Sequence, residues 1–171
     1  MKLGLIGLGN MGRMYVRLAG QNPAVELVSV CDASRERLEQ AVQEHPGAHP
    51  YTDFDEMFQR EKLKAVGIMT PDTSHLAPAL AASRAGCHML IEKPLAMNEA
   101  EARQIVAAVR EAGVFCQVAY TNRWNPPYVA ARELIRSGKL GEVTSLNARI
   151  NNTLFTPTKM LSWAAESSLG R

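Results

Sequence analysis

The sequence predicts an α/β fold in which helices cover both faces of a parallel β-sheet. Apolar runs alternate with helical patterns from the first residues to about residue 120. The runs are continuously apolar, which is typical of parallel strands buried on both faces. A glycine-rich turn follows the first run directly. Together these observations predict a doubly wound parallel sheet, followed after residue 120 by the beginning of a different domain.

Five apolar runs are predicted as the strands of this sheet. Glycine closes the first run and a Thr-Pro turn closes the third, as expected where a buried strand ends. In chain order the predicted strands are Lys2–Ile6, Val25–Cys31, Ala65–Met69, Cys87–Ile91 and Val114–Ala119.

Helical patterns with start and stop signals separate the strands. Ser34 can cap the second helix, and Pro46-Gly47 stops it. Gly86 and Gly113 suit the left-handed caps that end helices. In chain order the predicted helices are Gly12–Ala19, Ser34–His45, a short helix opened by Asp53 and Glu56, Ser74–Ala85, Asn98–Gly113 and Asn125–Gly138.

The pattern changes after Gly141. Residues Val143–Ile150 alternate between apolar and polar side chains, which predicts a half-buried strand of an antiparallel sheet. Residues 151–171 offer no second strand of similar quality, and a single strand cannot bury its apolar face. We therefore expect a first domain at 1–120. We expect residues 121–171 to be a connecting helix and the first part of a second domain that this chain does not complete.

Composition excludes several classes of protein. The chain has 171 residues, 46% of them hydrophobic and 21% charged, with a net charge of +2. This balance gives no reason to expect a nucleic acid or a membrane as partner, and no apolar run approaches the roughly 18–20 residues of a membrane span. Cys31, Cys87 and Cys116 are widely spaced, so they predict neither disulfides nor a metal site. A cytoplasmic protein with buried thiols is expected.

The turn after the first strand reads Gly7-Leu8-Gly9-Asn10-Met11-Gly12, a GxGxxG motif inside a βαβ unit. In a dinucleotide-binding Rossmann domain, Gly7 permits the tight turn, Gly9 lets the backbone approach a pyrophosphate, and Gly12 permits close packing of helix on strand. The helix N-terminus then offers free N–H groups to the phosphates. The alternative is a glycine turn without a ligand.

Asp32 ends the second predicted strand, 20 positions beyond Gly12 (32 − 12). A carboxylate there can accept hydrogen bonds from ribose hydroxyls and would repel a 2′-phosphate, which favours NAD over NADP. Arg35 and Arg37 lie close by, and an arginine could pair with a 2′-phosphate, so NADP stays possible. Asp32 could also cap the helix near Ser34, and the two roles are compatible.

Thr70-Pro71 follows the third predicted strand, and ligands of doubly wound sheets bind outside the carboxyl ends of strands. This turn should therefore face the cofactor. Asp72, Thr73 and Ser74 are more often simple helix caps. His75 is more often a surface or capping histidine than a catalytic one.

Glu92-Lys93-Pro94 follows the fourth predicted strand. The Lys93 ammonium could bind a substrate hydroxyl and favour the alkoxide that develops during hydride removal. The alternative is a surface lysine paired with Glu92. The Lys93–Pro94 peptide bond could be cis and fix the direction of the lysine.

Asn122 follows the fifth strand and could bind the carboxamide or the ribose of a nicotinamide nucleotide. Tyr120 and Trp124 nearby are better interpreted as domain-interface packing.

With these motifs in view, the first 150 residues or so resemble the Gfo/Idh/MocA family of oxidoreductases. The resemblance rests on GLGNMG, the Thr70-Pro71 turn with His75, EKP at Glu92–Pro94, and YTNRWNP at Tyr120–Pro126. It implies a Rossmann domain followed by an α+β open-sheet domain that binds substrate and usually oligomerises. It also implies NAD(P)-dependent oxidation or reduction of sugars, cyclitols or related hydroxylated compounds.

The resemblance also assigns roles to residues. Lys93 matches the catalytic lysine of the family. Gly7, Gly9, Gly12 and Asp32 match its cofactor loop, and the residues that match the lining around the nicotinamide are Thr70, Pro71, His75, Glu92 and Asn122.

The sequence departs from the family in one respect. Members usually carry an aspartate and a proton-accepting histidine in the second domain, whereas this chain has no aspartate after Ile150, and its histidines are His45, His49, His75 and His88. We expect an amino-terminal portion that binds the nucleotide with little or no turnover. The alternative is a non-catalytic dinucleotide sensor or regulatory module, and a methyltransferase is a third, weaker interpretation.

Overall fold

The computed structural model describes residues 1–149, which belong to two compact units. The first unit is Met1–Ala119 and the second begins at Tyr120. The predicted fold class is confirmed, because the first unit contains a parallel six-stranded sheet flanked by helices.

The sheet has the strand order β3-β2-β1-β4-β5-β6, the doubly wound order of dinucleotide-binding domains. The first strand has the predicted bounds. The other four predicted strands also form, and in the structure each is one to three residues shorter than predicted. The strands are β1 (Lys2–Ile6), β2 (Glu26–Cys31), β3 (His49–Tyr51), β4 (Ala65–Ile68), β5 (His88–Ile91) and β6 (Cys116–Val118).

The strand β3 has no counterpart among the predicted strands. It has three residues, one of them proline, and lacks an apolar run. It pairs only with β2, at the edge of the sheet, where proline is tolerated because no partner needs its missing N–H.

All the predicted helices form, and the predicted caps at Ser34, Asp53 and Asn98 are present. Their side chains accept from the main-chain N–H groups of Arg37, Asp55 and Glu101, respectively. The helices of the first unit are α1 (Asn10–Gln21), α2 (Arg35–Glu44), α3 (Phe54–Arg60), α4 (Leu76–Arg84) and α5 (Glu99–Ala112), and a 3₁₀ turn (Asp72–Ser74) precedes α4.

Two apolar clusters line the two faces of the sheet. Leu5 and Val30 pack with α1 and α2, whereas their chain neighbours Ile6 and Cys31 belong to the cluster with α3, α4 and α5. Successive residues of a strand point to opposite faces, so β1 and β2 contribute to both clusters. The residues of β4 and β5 that belong to a cluster, such as Val66 and Met89, belong to the one with α3, α4 and α5. Burying each large aliphatic side chain stabilises the fold by roughly 1.5–3 kcal/mol.

In the second unit, a 3₁₀ turn (Thr121–Trp124) leads into α6 (Pro126–Arg136), as predicted. The strand predicted at Val143–Ile150 is wrong for residues 143–149, which form no strand, and Leu146 is 82% exposed. The described residues contain no neighbouring strand against which this segment could pair, and a lone strand is unstable. Ile150 and residues 151–171, including Trp163, lie outside the described residues.

Among residues 1–149, no helix is long and apolar enough to cross a membrane. In the same range, no group of three or more His, Cys, Asp or Glu residues is arranged to hold a metal ion.

The cysteines pack as predicted, with Cys31 and Cys87 buried and Cys116 half-buried. Burial raises the pKa of all three thiols. For Cys31, the Asp53 and Asp32 carboxylates add to this effect and the pKa reaches about 12.

We therefore expect all three thiols to react slowly with Ellman's reagent at pH 8 in the folded chain, because the thiolate is the reactive form. Unfolding in guanidinium should make all three react rapidly. A thiol that reacts at the unfolded rate in the native chain would contradict this interpretation.

Candidate cofactor site

The candidate site lies where β1, β2, β4 and β5 end. All strands are parallel, so the turns that follow them emerge at one edge of the sheet. The strand order reverses between β1 and β4, and dinucleotides bind at such a switch point. A cavity of about 520 Å³ opens beside these ends, with Ile6, Phe54, Thr70 and Thr73 in its lining.

The glycine turn is packed tightly at two of its three glycines. Gly7 has a φ of +87°, and an added Cβ would lie 2.6 Å from Thr70 N. A Cβ on Gly12 would lie 1.9 Å from the Gly7 carbonyl oxygen. A Cβ on Gly9, by contrast, would meet no atom of the described residues within 4 Å, so a ligand can approach the Gly9 backbone.

The first turn of α1 directs its main-chain N–H groups toward this open side. Gly9 caps the helix without a side-chain hydrogen bond. The N–H groups at the start of a helix have no partner within the helix and form an anion site. Leu8 is fully buried, whereas Asn10 and Met11 are exposed beside the opening.

Asp32 joins the end of β2 to the glycine turn. Its Oδ2 accepts from Leu8 N at 2.7 Å and its Oδ1 accepts from Ser34 N at 2.8 Å. The Arg37 guanidinium lies 3.7 Å from Oδ2. Each carboxylate oxygen can accept more than one hydrogen bond, so Asp32 can hold the turn and still accept from a ribose hydroxyl. The predicted capping role near Ser34 and the predicted site role are therefore compatible.

The Thr-Pro turn after β4 is held by its own hydrogen bonds. Thr70 Oγ1 donates to Ser74 O at 3.1 Å, and Ser74 N donates to Pro71 O at 2.8 Å. His75 is buried, and its two ring nitrogens face the Pro94 and Thr70 carbonyl oxygens. The imidazole thus lies between the turns that follow β4 and β5.

The turn after β5 carries Glu92 and Lys93. Glu92 is buried, and its Oε2 accepts from Lys93 N at 3.1 Å. The Lys93 side chain is exposed and forms no ion pair with any other described residue. The alternative of a surface Lys93–Glu92 ion pair is thus wrong, and the ammonium has no ion-pair partner in the part of the chain that the structure describes. The Lys93–Pro94 peptide bond is cis, one of the two forms that the sequence allowed.

Two residues that sequence reasoning did not select belong to this edge. Burial and the nearby Glu92 carboxylate raise the pKa of Tyr15, on α1. Asp72, on the turn after β4, is buried, and its Oδ2 has no partner among the described residues. Only the proximity of Tyr15 to the glycine motif could have indicated its place, since burial is a tertiary property.

The structure brings most of the predicted site residues to this one edge: Gly7, Leu8, Gly9, Asn10, Met11, Gly12, Asp32, Thr70, Pro71, His75, Glu92 and Lys93. Asn122 belongs to the second unit, and its cofactor role stays a prediction.

The residues present fit a nicotinamide dinucleotide. The open space at Gly9 would admit a pyrophosphate. Glu92 Oε1 is buried without a hydrogen-bond partner among the described residues, and a buried carboxylate oxygen without a donor is costly. A ligand that carries hydroxyl or amide donors would satisfy it.

A matched pair of glycine variants separates folding from ligand binding. Gly12→Ala places a methyl group against the Gly7 carbonyl, so we expect a loss of stability of about 1–3 kcal/mol. The methyl group of Gly9→Ala meets no atom of residues 1–149 within 4 Å, so the stability should change by less than about 0.5 kcal/mol. NADH affinity should nevertheless fall by at least about tenfold in Gly9→Ala, because the methyl group occupies the space for the pyrophosphate.

Thermal unfolding and NADH titration by fluorescence measure both effects. Unchanged NADH affinity in a stable Gly9→Ala variant would contradict the assigned site.

Comparison with known proteins agrees with this geometry. A family model described as an oxidoreductase family with an NAD-binding Rossmann fold matches residues 1–120. The 1,5-anhydro-D-fructose reductase of Ensifer adhaerens is 33% identical to this chain over 163 residues, which are 95% of this chain and 48% of the relative. The scyllo-inositol 2-dehydrogenase (NAD(+)) of Bacillus subtilis is 31% identical over 139 residues, covering 81% of this chain and 41% of the relative.

Solved structures show the same likeness. The WlbA dehydrogenase of Bordetella pertussis, in complex with NADH and UDP-GlcNAcA, matches with a TM-score of 0.77 and 30% identity, covering 82% of this chain and 43% of that chain. Myo-inositol 2-dehydrogenase of Lactobacillus plantarum shares the fold, with a TM-score of 0.91 and 22% identity over 99% of this chain and 51% of that chain. The chain spans about half the length of the curated relatives it matches. With the family model matching well over half of its residues, the chain belongs to the Gfo/Idh/MocA family of NAD-binding oxidoreductases.

Proposed function

We propose that residues 1–120 bind NAD(H) and serve hydride transfer between the nicotinamide ring and a hydroxyl-bearing carbon of a sugar or cyclitol. The observation that carries the proposal is the convergence of three groups at one sheet edge. These are the open glycine turn, the Asp32 carboxylate and the Lys93 ammonium, which forms no ion pair within residues 1–149.

Each group has a distinct task. The N–H groups at the start of α1 bind the pyrophosphate, and the Asp32 carboxylate accepts from the adenosine ribose. Glu92 Oε1 accepts from a donor on the nicotinamide half of the cofactor. When bound, NAD supplies the acceptor for the hydride, while the protein supplies orientation and charge.

Lys93 is the proposed catalytic residue. Its ammonium donates a hydrogen bond to the reacting oxygen of the substrate and stabilises the negative charge that develops there. Thr70 and Pro71 line the same edge, and the cofactor role of Asn122 stays a prediction.

The substrate class rests on the relatives. Those named above are an anhydro-sugar reductase and an inositol dehydrogenase. Such relatives do not favour the alternative of a non-catalytic sensor. Self-association through the second unit, which the resemblance implies, stays a prediction.

For the 171-residue chain itself we expect nucleotide binding without turnover. The sequence contains no histidine after His88, and the family chemistry needs a histidine in the second domain as proton acceptor. NADH should bind with a fluorescence change, whereas NAD⁺ with myo-inositol, scyllo-inositol or glucose should yield no NADH absorbance. Turnover with any of these polyols would overturn the expectation, and failure to bind NADH would overturn the proposed function.

Asp32 should decide between NAD and NADP. In Asp32→Ala we expect NAD⁺ affinity to fall about 10- to 100-fold, because a charge-assisted acceptor of the ribose is lost. NADP⁺ affinity should fall less than NAD⁺ affinity. Both nucleotides lose the support that Asp32 gives the glycine turn through Leu8 N, but for NADP⁺ the variant also removes a repulsive carboxylate and frees Arg37, which lies 3.7 Å away from it.

Calorimetric titration with both nucleotides measures the change in preference. Asp55→Ala is the matched control, since Asp55 is an exposed aspartate on α3. Equal losses of affinity for NAD⁺ and NADP⁺ in Asp32→Ala would contradict this role.

A further inference from the structure

His75 makes two contacts that its position in the sequence does not reveal. The side chain is only 1% exposed. Its Nδ1 lies 2.8 Å from the Pro94 carbonyl oxygen, and its Nε2 lies 3.1 Å from the Thr70 carbonyl oxygen. Both ring nitrogens are therefore directed at protein atoms, and neither is left for a cofactor.

The two carbonyl groups belong to turns on neighbouring strands. Thr70 follows β4, and Pro94 follows β5. These strands pair in parallel, with Ile68 opposite Ile91. The paired register of the two strands ends at these residues. The imidazole of His75 lies between the turns that follow, in contact with a carbonyl oxygen of each.

The segment that contains Lys93 depends on such side-chain contacts. The last bond of the sheet ladder here runs from Glu92 N to Ile68 O at 2.9 Å. Within residues 1–149, residues 93–97 make no further main-chain to main-chain hydrogen bond. Three hydrogen bonds with side chains hold the segment: Lys93 N to Glu92 Oε2, His75 Nδ1 to Pro94 O, and Met97 N to Glu101 Oε2. Leu95 and Ala96 also pack against the apolar cluster with α3, α4 and α5.

Of these three hydrogen bonds, only the one from His75 comes from the chain that follows another strand, β4. Glu92 is the residue before Lys93, and Glu101 lies four residues beyond Met97 on α5. The hydrogen bonds from Glu92 and Glu101 join residues close together in the sequence. The hydrogen bond from His75 instead fixes the distance between the Lys93 segment and the Thr70-Pro71 turn.

We propose that His75 is a positioning residue that sets the place of Lys93 through a hydrogen bond from Nδ1 to the Pro94 carbonyl. It acts on the nicotinamide half of the cofactor through the turn that carries Glu92 and Lys93, and not by contact. This replaces the cofactor contact that the sequence predicted for it. The inference rests on the proposed function, because it requires that the nicotinamide half of NADH lies at Lys93.

Three substitutions test which ring nitrogen matters. His75→Leu removes both nitrogens. His75→Asn keeps an amide N–H donor near the place of Nδ1, and His75→Gln keeps one near the place of Nε2. Each variant is titrated by calorimetry with NADH and with ADP-ribose, which lacks the nicotinamide ring, and thermal unfolding is recorded alongside.

We expect His75→Leu to weaken NADH binding by about tenfold while ADP-ribose binding changes by less than about twofold, as the loss of one buried hydrogen bond would predict. His75→Asn should restore most of the NADH affinity, and His75→Gln should not. If His75→Leu does not fold, the Asn and Gln variants alone provide the test. The ratio of NADH to ADP-ribose affinity should then be close to that of the unsubstituted chain in His75→Asn and about tenfold lower in His75→Gln.

Other results would overturn the inference. An unchanged affinity ratio in all variants, with only a lower unfolding temperature, would leave His75 a purely structural role. If NADH affinity is restored in His75→Gln and not in His75→Asn, the hydrogen bond that matters is the one to the Thr70 carbonyl. If neither variant restores NADH affinity, the hydrogen bond to Pro94 is not the cause of the loss. Failure of the unsubstituted chain to bind either nucleotide is a separate result, which refutes the proposed function itself.

Discussion

The contact between the glycine turn and the first helix determines how the rest of the site is built. The Gly7 carbonyl lies so close to Gly12 that no side chain fits between them. Gly7 N donates to Cys31 O at 2.8 Å, which ties the turn to β2, and Met69 N donates to Ile6 O at 2.7 Å, which ties it to β4. The helix therefore begins directly above the switch point of the sheet, with its free N–H groups at the edge where the other turns emerge.

Buried polar groups then divide into those that hold the turns and those that lack a partner. Asp32 and His75 satisfy main-chain groups of neighbouring turns, as buried polar atoms generally must. Glu92 Oε1 and Asp72 Oδ2 are buried without a partner among the described residues. Leaving such atoms unsatisfied costs free energy, and a bound ligand recovers it when it brings donors. The same edge thus has turns tied together by buried hydrogen bonds and two buried carboxylate oxygens without a partner among the described residues.

This chain contains the candidate cofactor site although it spans about half the length of its curated relatives. The match to the family model covers residues 1–120, which include the glycine turn, Asp32 and Lys93. The relatives are about twice as long as this chain. The match therefore shows an NAD-binding Rossmann domain of an oxidoreductase family, whereas the particular sugar or cyclitol does not follow from it.

By itself, the sequence determined the features that depend on neighbouring residues. Apolar runs located the central strands, side-chain caps such as Ser34 and Asn98 located helix starts, and the spacing from Gly12 to Asp32 indicated a dinucleotide site. It did not indicate β3, whose three residues form a strand only because β2 offers an edge, and it predicted a strand at Val143–Ile150 that residues 143–149 do not form. Only the tertiary structure showed that His75 faces two turns and that Asp32 holds the glycine turn. The physical reason is that a hydrogen bond between distant segments depends on how strands pair and in which register, and neither is encoded in local periodicity or composition.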